Sequence, residues 1–315
     1  MYHYVGGPDP QCTGGIVPLR PEQFVQQIEL LQQRYQIVRA DELVEFVEDG
    51  WGPAERLCLL TFDDGTADQA RVAAPLLAER GLSAVIFVLT EPLAEGRIPR
   101  THKLHIVLGR VGDEELWDRS CDWAQARLAG GLAELGEAEQ AGRMYHYETG
   151  LRGRIKYAVN FALPGERADE LMDELFAKTC GCEAEWAGRW FVRPGELEGL
   201  ERMGMVIASH GHGHILWREG GQDGWREDVE TAHRHLAAWL GHEPRWFSPP
   251  FGASGLSAEA RAGRTGQLRG MGYRGVVLTE AGVNRVPIDP LRLRRMDAAS
   301  LPPVKRIRLA YALRG

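Results

Sequence analysis

The sequence predicts an α/β fold in which a parallel sheet is interrupted by a helical insertion. Short apolar stretches alternate with helical ones from the start of the chain to about residue 90, and the alternation resumes at residue 204. This order is typical of parallel strands with helices packed outside them. Residues 97–200 are instead mostly helical in pattern and carry long charged stretches. We therefore predict one domain over residues 1–315 with a helical insertion at 97–200, which could form a subdomain.

The individual elements follow from local pattern. Phe24, Ile28 and Leu31 recur at helical spacing, and Pro21 suits the first turn of that helix. Buried strands are predicted where apolar residues run together between turn signals. The predicted strands are 2–5, 36–40, 56–62, 83–90, 204–210, 244–248 and 273–279, and the predicted helices are 21–35, 40–50, 68–81, 223–240 and 257–270.

Composition and the first residues argue against a nucleic-acid-binding, membrane-spanning or exported protein. The chain is 44% hydrophobic and has a formal net charge of −7, which argues against a nucleic-acid partner, because phosphate binding needs a clustered basic face. No apolar run is long enough to span a bilayer. The start, MYHYVGGPDP, has neither the basic nor the apolar region of a signal peptide, and the five cysteines are an odd number. These features predict a cytoplasmic protein without a membrane span.

Two adjacent carboxylates follow a predicted buried strand. The strand at 56–62 leads directly into Asp63 and Asp64, and Gly65 comes next. In parallel α/β folds, functional groups cluster at the carboxyl ends of strands. Adjacent residues in an extended segment point to opposite sides, so one carboxylate can bind a cation while the other faces a substrate. The alternative is an ordinary turn, since Asp-Gly is a common turn dipeptide.

Two further segments follow predicted strands. Three histidines at alternate positions, His210, His212 and His214, are separated by glycines. A histidine cluster at a strand end is typical of a metal site, and the glycines let two imidazoles converge on one ion. In FSPPFG, residues 247–252, two prolines end a strand. Such a rigid loop can aim a backbone N–H at a developing oxyanion, although a plain turn is the alternative.

The segments TFDDG, SHGHGH and FSPPFG, in this order, resemble the polysaccharide deacetylase family, also called the NodB homology domain or carbohydrate esterase family 4. The resemblance covers roughly residues 1–95 and 200–300, and the insertion lies outside it. It implies a distorted (β/α) barrel of about seven strands. It also implies that the substrate is an amide, in a small molecule or an oligosaccharide.

The resemblance implies roles for the residues of the three segments. A divalent ion would be held by Asp64, His210 and His214, and this donor set suits zinc first, with cobalt, nickel or iron as alternatives. Asp63 would be the general base that takes a proton from water on the ion. The oxyanion would lie on the ion and on the backbone N–H of Phe251, which follows Pro250.

The chain departs from the family pattern at several positions. Gly211 stands where serine or threonine is frequent, Ser248 where arginine is usual, and Phe251 where tyrosine is usual. The family's late histidine, its general acid, has no counterpart after His242. MYHYV is similar to the first strand of a permuted subgroup, so His3 becomes the candidate acid. The alternative is a strand histidine packed against a neighbouring tyrosine.

Two more residues are candidates for supporting roles. Arg295, in LRLRRM, is the first candidate to replace the missing arginine that orients the catalytic aspartate, and a solvated basic face is an equal alternative. Asp68 could support a ligand from behind or cap a helix. His233, His235 and His242 are predicted to lie on the solvated surface.

The insertion makes the spacing between Asp64 and His210 much longer than is usual in the family. It leaves near the carboxyl end of one strand and returns before the histidine motif, so we predict that it covers the metal site as a lid or a substrate wall. Its basic residues could meet a phosphate, although simple surface charge is the more ordinary interpretation. They are Lys103, His105, Arg152, Arg154 and Lys156.

The sequence thus favours a metal-dependent N-deacetylase of a cytoplasmic acetamido sugar, which could be nucleotide-linked, lipid-linked or a small glycoside. One alternative is an amidohydrolase that acts on another small amide, such as a formamido sugar or a cyclic ureide. The other is a binding module that kept the fold without activity. Intact Asp63, Asp64, His210 and His214 argue against the binding module.

Overall fold

The computed structural model describes residues 1–9, 14–48, 56–145, 148, 150–217, 221–252, 256–285 and 287–304. The chain forms two compact units. The sheet unit comprises Met1–Pro8, Pro18–Ala94 and Gly188–Gly315, and the helical unit comprises Asp9–Val17 and Glu95–Ala187. The helical unit therefore ends before the predicted boundary at residue 200. Packing explains the difference, because Leu197 and Leu200 are buried in the apolar core of the sheet unit.

The strands of the described residues form two parallel sheets. They are β1 (Gln36–Ile37), β2 (Leu57–Cys58), β3 (Thr61–Phe62), β4 (Val85–Val88), β5 (Val206–Ser209), β6 (Trp246–Phe247), β7 (Gly275–Ala281) and β8 (Leu293–Arg295). β1 pairs with β2, and β3 to β8 form a six-stranded sheet whose spatial order equals the chain order. The predicted α/β fold with a parallel sheet is confirmed.

The register of this sheet places the predicted functional segments at one edge. Phe62 pairs with Ile86, Val88 with Ser209, and Ser209 with Phe247. Because all these strands are parallel, the residues that follow them lie at the same edge of the sheet, where the carboxyl ends of the strands meet. This edge is where the site described below is built.

The predicted strand at 56–62 is wrong as a single strand. Leu57 and Cys58 pair with β1, whereas Thr61 and Phe62 pair with β4. The chain changes sheets between these pairs, and Leu60 already accepts a hydrogen bond from the backbone N–H of Val85 (2.9 Å). A continuous apolar run carries no alternation that would reveal such a change, so its length alone suggested one strand.

The first residues of the chain lie between β3 and the segment that follows β8. Tyr2 forms a parallel bridge with Phe62, and its backbone N–H donates to the Thr61 carbonyl (2.8 Å). On the other side, the terminal ammonium of Met1 donates to the Met296 carbonyl (2.8 Å). The N-terminal segment thus joins the two edge strands of the curled sheet, and it brings the predicted acid His3 to that place.

Aromatic packing holds this segment in the core. The Tyr2 ring stacks on Phe62 with centroids 5.2 Å apart and meets the edge of Phe24 at 5.1 Å. All three side chains are buried. Burying an aromatic side chain of this kind contributes about 2–3 kcal/mol, so the N-terminal segment is well anchored although it forms isolated bridges and not the predicted strand 2–5.

The helices of the described residues are α1 (Pro21–Gln32), α2 (Ala40–Glu48), α3 (Ala74–Ala78), α4 (Glu91–Ala94), α5 (Arg100–Val111), α6 (Asp113–Arg127), α7 (Ala138–Met144), α8 (Gly150–Tyr157), α9 (Gly165–Cys180), α10 (Glu183–Trp190), α11 (Pro194–Arg202), α12 (Gly221–Leu240) and α13 (Ala258–Gly270). None of these helices has the length and apolar composition that crossing a membrane requires.

The predicted helix at 68–81 has an irregular start. Gln69–Ala73 is a π-helical turn, and α3 follows it. Pro75 lies in the first turn of α3, and because proline has no N–H, the regular bonding of the preceding turn is interrupted there.

In the helical unit, α5 packs against α9. Four of the basic residues that were predicted as surface charges or phosphate ligands have partners within this unit. The ammonium of Lys103 is 3% exposed and pairs with Asp173 and with Glu183 (2.9 Å). A buried lysine needs such partners, so packing and not solvation accounts for this residue. Three others are also engaged within the unit: Arg152 with Asp113, Lys156 with Glu148, and Arg154 over the ring of Trp117.

Candidate active site

The three predicted metal ligands converge at the edge of the sheet. Nε2 of His210 lies 3.4 Å from Oδ1 of Asp64, and Nε2 of His214 lies 3.5 Å from the same oxygen. The three ligand atoms lie within 4.8 Å of one another. Two imidazole nitrogens and one carboxylate oxygen form a donor set that fits a divalent transition ion with open coordination positions.

The backbone of two of these ligands is strained. Asp64 has φ of 80° and His214 has φ of 55°, values that residues with side chains seldom adopt. Strain of this kind costs about 1–3 kcal/mol per residue and is found mostly at functional sites. Here it turns both side chains toward the same point.

A hydrogen bond fixes which nitrogen of His210 faces Asp64. Nδ1 of His210 lies 2.7 Å from the carbonyl oxygen of Ser248. A carbonyl oxygen only accepts, so Nδ1 carries the proton and donates it. The lone pair of Nε2 is then available on the Asp64 side, which is the arrangement that a metal-binding imidazole needs.

Asp63 is paired with Arg295. The guanidinium donates from Nη1 to Oδ1 (2.7 Å) and from Nη2 to Oδ2 (2.8 Å), and both side chains are buried. Nη2 also donates to the hydroxyl of Ser248 (2.9 Å). Ser248 stands where the family arginine was expected, and the structure places the guanidinium of Arg295 beside it, from β8.

The charges around Asp63 keep it ionised. Burial alone would raise the pKa of this carboxyl, but Arg295, His210 and His3 together hold the pKa below its usual range. A carboxylate has about four lone-pair positions, so it can still accept from water while Arg295 uses two of them. The carboxyl group of Asp63 is therefore ionised at neutral pH.

We expect Arg295→Met to damage both stability and activity, because it leaves the Asp63 carboxylate buried without a cation. Breaking a buried ion pair in this way costs about 3–5 kcal/mol of unfolding free energy. Urea unfolding and turnover measure the two effects. Arg295→Lys should lie between Met and wild type, since lysine keeps the charge but not the two parallel bonds.

Ser248→Ala is the matched control, because it removes a single hydrogen bond to the same guanidinium and should cost about 1 kcal/mol. Equal stability of Arg295→Met and Ser248→Ala would contradict the importance given to the ion pair.

The predicted acid His3 lies on the N-terminal segment close to this pair. Its charge contributes to the low pKa of Asp63, so the imidazole lies within electrostatic reach of that carboxylate. Nε2 of Gln69 donates to the carbonyls of His3 (2.8 Å) and of Asp63, and Gln69 is fully buried. This amide ties the backbone of the two residues together.

Asp68 holds the same segment in place and does not cap a helix with its side chain. Its Oδ2 accepts from the backbone N–H groups of Val5 (2.6 Å) and Gly7 (3.3 Å), and its Oδ1 accepts from the hydroxyl of Thr66 (2.6 Å). Burial raises the pKa of Asp68 to about 6. Through these hydrogen bonds, the carboxylate of Asp68 holds the N-terminal segment that carries His3.

We expect Asp68→Ala to destabilise the protein, by about 1–3 kcal/mol for each buried donor that loses its acceptor. Asp68→Asn should stay close to wild type at pH 8. The amide oxygen can accept both backbone N–H groups, the hydroxyl of Thr66 can reverse to accept from the amide, and the charge that burial disfavours is gone. Urea unfolding of the two variants decides the matter, and a stable Asp68→Ala protein would contradict the role of the carboxylate.

The proline loop lies next to the ligands. Phe251 has φ of 56°, and its ring lies 4.7 Å from that of His214. The N–H of Gly252 donates to the Pro249 carbonyl (3.0 Å), which closes a tight turn around Pro250. The proposed use of the Phe251 N–H for an oxyanion stays a prediction.

The other histidines differ from one another. His242 is exposed, as predicted. The prediction is wrong for His235, which is half-buried and stacks between His212 (5.6 Å) and Trp239 (5.2 Å). His233 is also half-buried and meets the ring of Tyr273. Helix α12 packs this face inward, and a histidine carries no local signal of that rotation.

Sequence reasoning missed several residues around the ligands. Gln69, Thr90 and Asp228 are polar side chains whose partners are distant in the sequence. Gln69 and Asp228 lie in helical segments, where a polar residue is ordinary, and Thr90 lies in the bend after β4, so none of these three had a local signal.

The chain is similar to known proteins in part of its sequence and in its fold. The family model described as polysaccharide deacetylase matches residues 167–268. No curated protein matches the chain. The deacetylase PplD of Streptococcus pyogenes, solved in complex with acetate, is similar to the chain at 15% identity and a TM-score of 0.55, over 94% of this chain and 89% of PplD.

Two other solved structures share the fold. IcaB from Ammonifex degensii has 16% identity and a TM-score of 0.56, over 96% of this chain and 93% of IcaB. A de-N-acetylase from Aggregatibacter actinomycetemcomitans has 14% identity and a TM-score of 0.50, over 94% of this chain and 92% of that enzyme. By its partial family match, its motifs and its fold, the chain is similar to polysaccharide deacetylases.

Proposed function

We propose that the chain is a metal-dependent N-deacetylase of a small acetamido sugar. The observation that carries the proposal is the convergence of Asp64, His210 and His214, with the ionised Asp63 next to them. Zinc is the proposed ion, and cobalt, nickel or iron would suit the same donors. Such an ion would supply Lewis acidity, which lowers the pKa of water and polarises an amide carbonyl.

The residues around these ligands have separate roles in this proposal. Asp63 accepts the proton of the attacking water, and Arg295 holds the carboxylate ionised and in a fixed orientation. The backbone N–H of Phe251 is proposed to donate to the oxyanion. His3 is proposed to return a proton to the departing amine, supported by its place on the N-terminal segment that Asp68 and Gln69 hold near Asp63.

The proposed substrates are nucleotide-linked or lipid-linked N-acetyl sugars, or small glycosides, in the cytoplasm. Cys58, Cys121 and Cys182 form no disulfide, which supports a reducing compartment. Acetate would be the product, and a structural relative of the chain was solved in complex with that ion.

The test measures acetate release by zinc- or cobalt-loaded protein from nucleotide-linked N-acetylhexosamines, small N-acetyl glycosides and chitin oligomers. Release from the first two classes is expected, and Asp63→Asn serves as the inactive control. Release from chitin oligomers alone would overturn the proposed substrate class. Hydrolysis of N-formyl substrates without any acetate release would favour an amidohydrolase of a different amide.

A further inference from the structure

The loop between the two histidine ligands, residues 211–213, is held from one side by the end of β4. The N–H of Thr90 donates to the Gly211 carbonyl (3.3 Å), and the N–H of Glu91 donates to the His212 carbonyl (3.1 Å). The hydroxyl of Thr90 also lies 2.8 Å from Nδ1 of His212. These contacts satisfy the carbonyl groups of Gly211 and His212 and attach the loop to the residues that follow β4.

Two N–H groups of the same loop, those of His212 and Gly213, donate to a carboxylate on α12. Oδ2 of Asp228 accepts from the N–H of His212 (3.0 Å), and Oδ1 accepts from the N–H of Gly213 (2.7 Å). One carboxylate thus takes two successive backbone donors, one with each oxygen. Hydrogen bonds from backbone N–H groups to an ionised carboxylate are about twice as strong as neutral ones.

The backbone at Gly211 is shaped around this carboxylate. Gly211 has φ of 86°, and a Cβ atom built there would lie 2.5 Å from Oδ2 of Asp228. Asp228 therefore occupies the space that a side chain at position 211 would need. This explains why glycine stands where serine or threonine was expected from the family pattern.

We propose that Asp228 is a positioning residue for metal binding: it fixes loop 211–213 so that His210 and His214 face Asp64. The inference rests on the proposed metal site. His210 is anchored by β5 and by Ser248, but His214 lies beyond the loop and depends on its shape. A ligand held in advance loses less conformational freedom when the ion binds, so the clamp raises the affinity for the ion.

The first test compares ion affinity in Asp228→Ala, Asp228→Asn and the matched control Glu227→Ala. Glu227 is an exposed acid next to Asp228 on the same helix, so its loss changes the net charge equally. Zinc and cobalt dissociation constants are measured by competition with a chromophoric chelator. We expect about 10–100-fold weaker binding for Asp228→Ala, as is usual when a group that orients a ligand is removed. Asp228→Asn should fall between, and the control should match wild type.

Urea unfolding of the metal-free proteins separates positioning from mere stabilisation. If Asp228 only stabilised the fold, the metal-free variants would unfold at lower urea while binding the ion as tightly as wild type, and that result would overturn the inference. Wild-type protein that binds no ion would overturn the proposed function and this inference with it. Tight binding by wild type and by Asp228→Ala alike would overturn the inference alone.

A second variant keeps the test decisive if Asp228→Ala folds poorly. In the wild-type protein, Gly211→Ser places a side chain against Oδ2 of Asp228. In the Asp228→Ala background that oxygen is absent, so the same substitution meets no carboxylate. The strain of a positive φ is the same in both backgrounds, so it cancels when the two effects on ion affinity are compared. We expect the loss caused by Gly211→Ser to be smaller in the Asp228→Ala background. Equal losses would overturn the proposed contact.

Discussion

His214→Ala should abolish ion binding and deacetylase activity together. The imidazole is one of three donors that face a common point, and its Nε2 lies 3.5 Å from the carboxylate of Asp64. Two remaining donors cannot hold a divalent ion against water as three can. Because the ion is expected to supply several kcal/mol of transition-state stabilisation, we expect turnover to fall about 10³-fold or more.

Equilibrium dialysis with zinc and an acetate-release assay measure the two quantities on the same protein. His242→Ala is the control, because that histidine is exposed and is paired with Glu201 far from the ligands. An active His214→Ala protein that still binds one ion would show that the ligand set is wrong.

Asp63→Asn should separate ion binding from catalysis. Asp63 is paired with Arg295 and is not one of the three converging ligands, so the ion should bind with nearly unchanged affinity. An amide cannot accept a proton from water at neutral pH, and the loss of a general base lowers turnover by about 10²–10⁴-fold.

The neighbouring carboxylate provides the matched comparison for this prediction. Asp64→Asn makes the same chemical change one residue away, but it removes an anionic donor from the ligand set. Asp64→Asn should therefore weaken ion binding strongly, whereas Asp63→Asn should not. Normal turnover by Asp63→Asn would contradict the assignment of Asp63 as the base. Equal ion affinity in the two variants would show that the two aspartates do not have different roles.

The pairing of Arg295 with Asp63 could be predicted from the sequence only in part. Its position in a basic run allowed a solvated surface as readily as a buried role. In the structure it is 7% exposed, and its partner Asp63 is 232 positions away. Closure by the N-terminal segment between β3 and β8 brings the two together, and such closure is a property of the whole sheet.

In the helical unit, the sequence predicted the helices but not the burial of their charged residues. Helical spacing predicted that this part of the chain would be helical, and α5 to α10 form there. Its charges, however, were expected to face solvent or a phosphate, whereas Lys103 is buried between two acids. Burial depends on which helix faces pack together, and composition does not encode that rotation.

The sequence by itself predicted the α/β class with a parallel sheet, and it supplied the candidate ligands Asp64, His210 and His214. It could do so because parallel strands end at one edge of a sheet, so residues that follow different strands must meet there. Only the tertiary structure decided which arginine meets Asp63, why residue 211 is glycine and what holds His3 and the ligand loop. Those contacts join residues that are far apart in the chain, and their geometry depends on strand register and helix rotation, which local patterns do not specify.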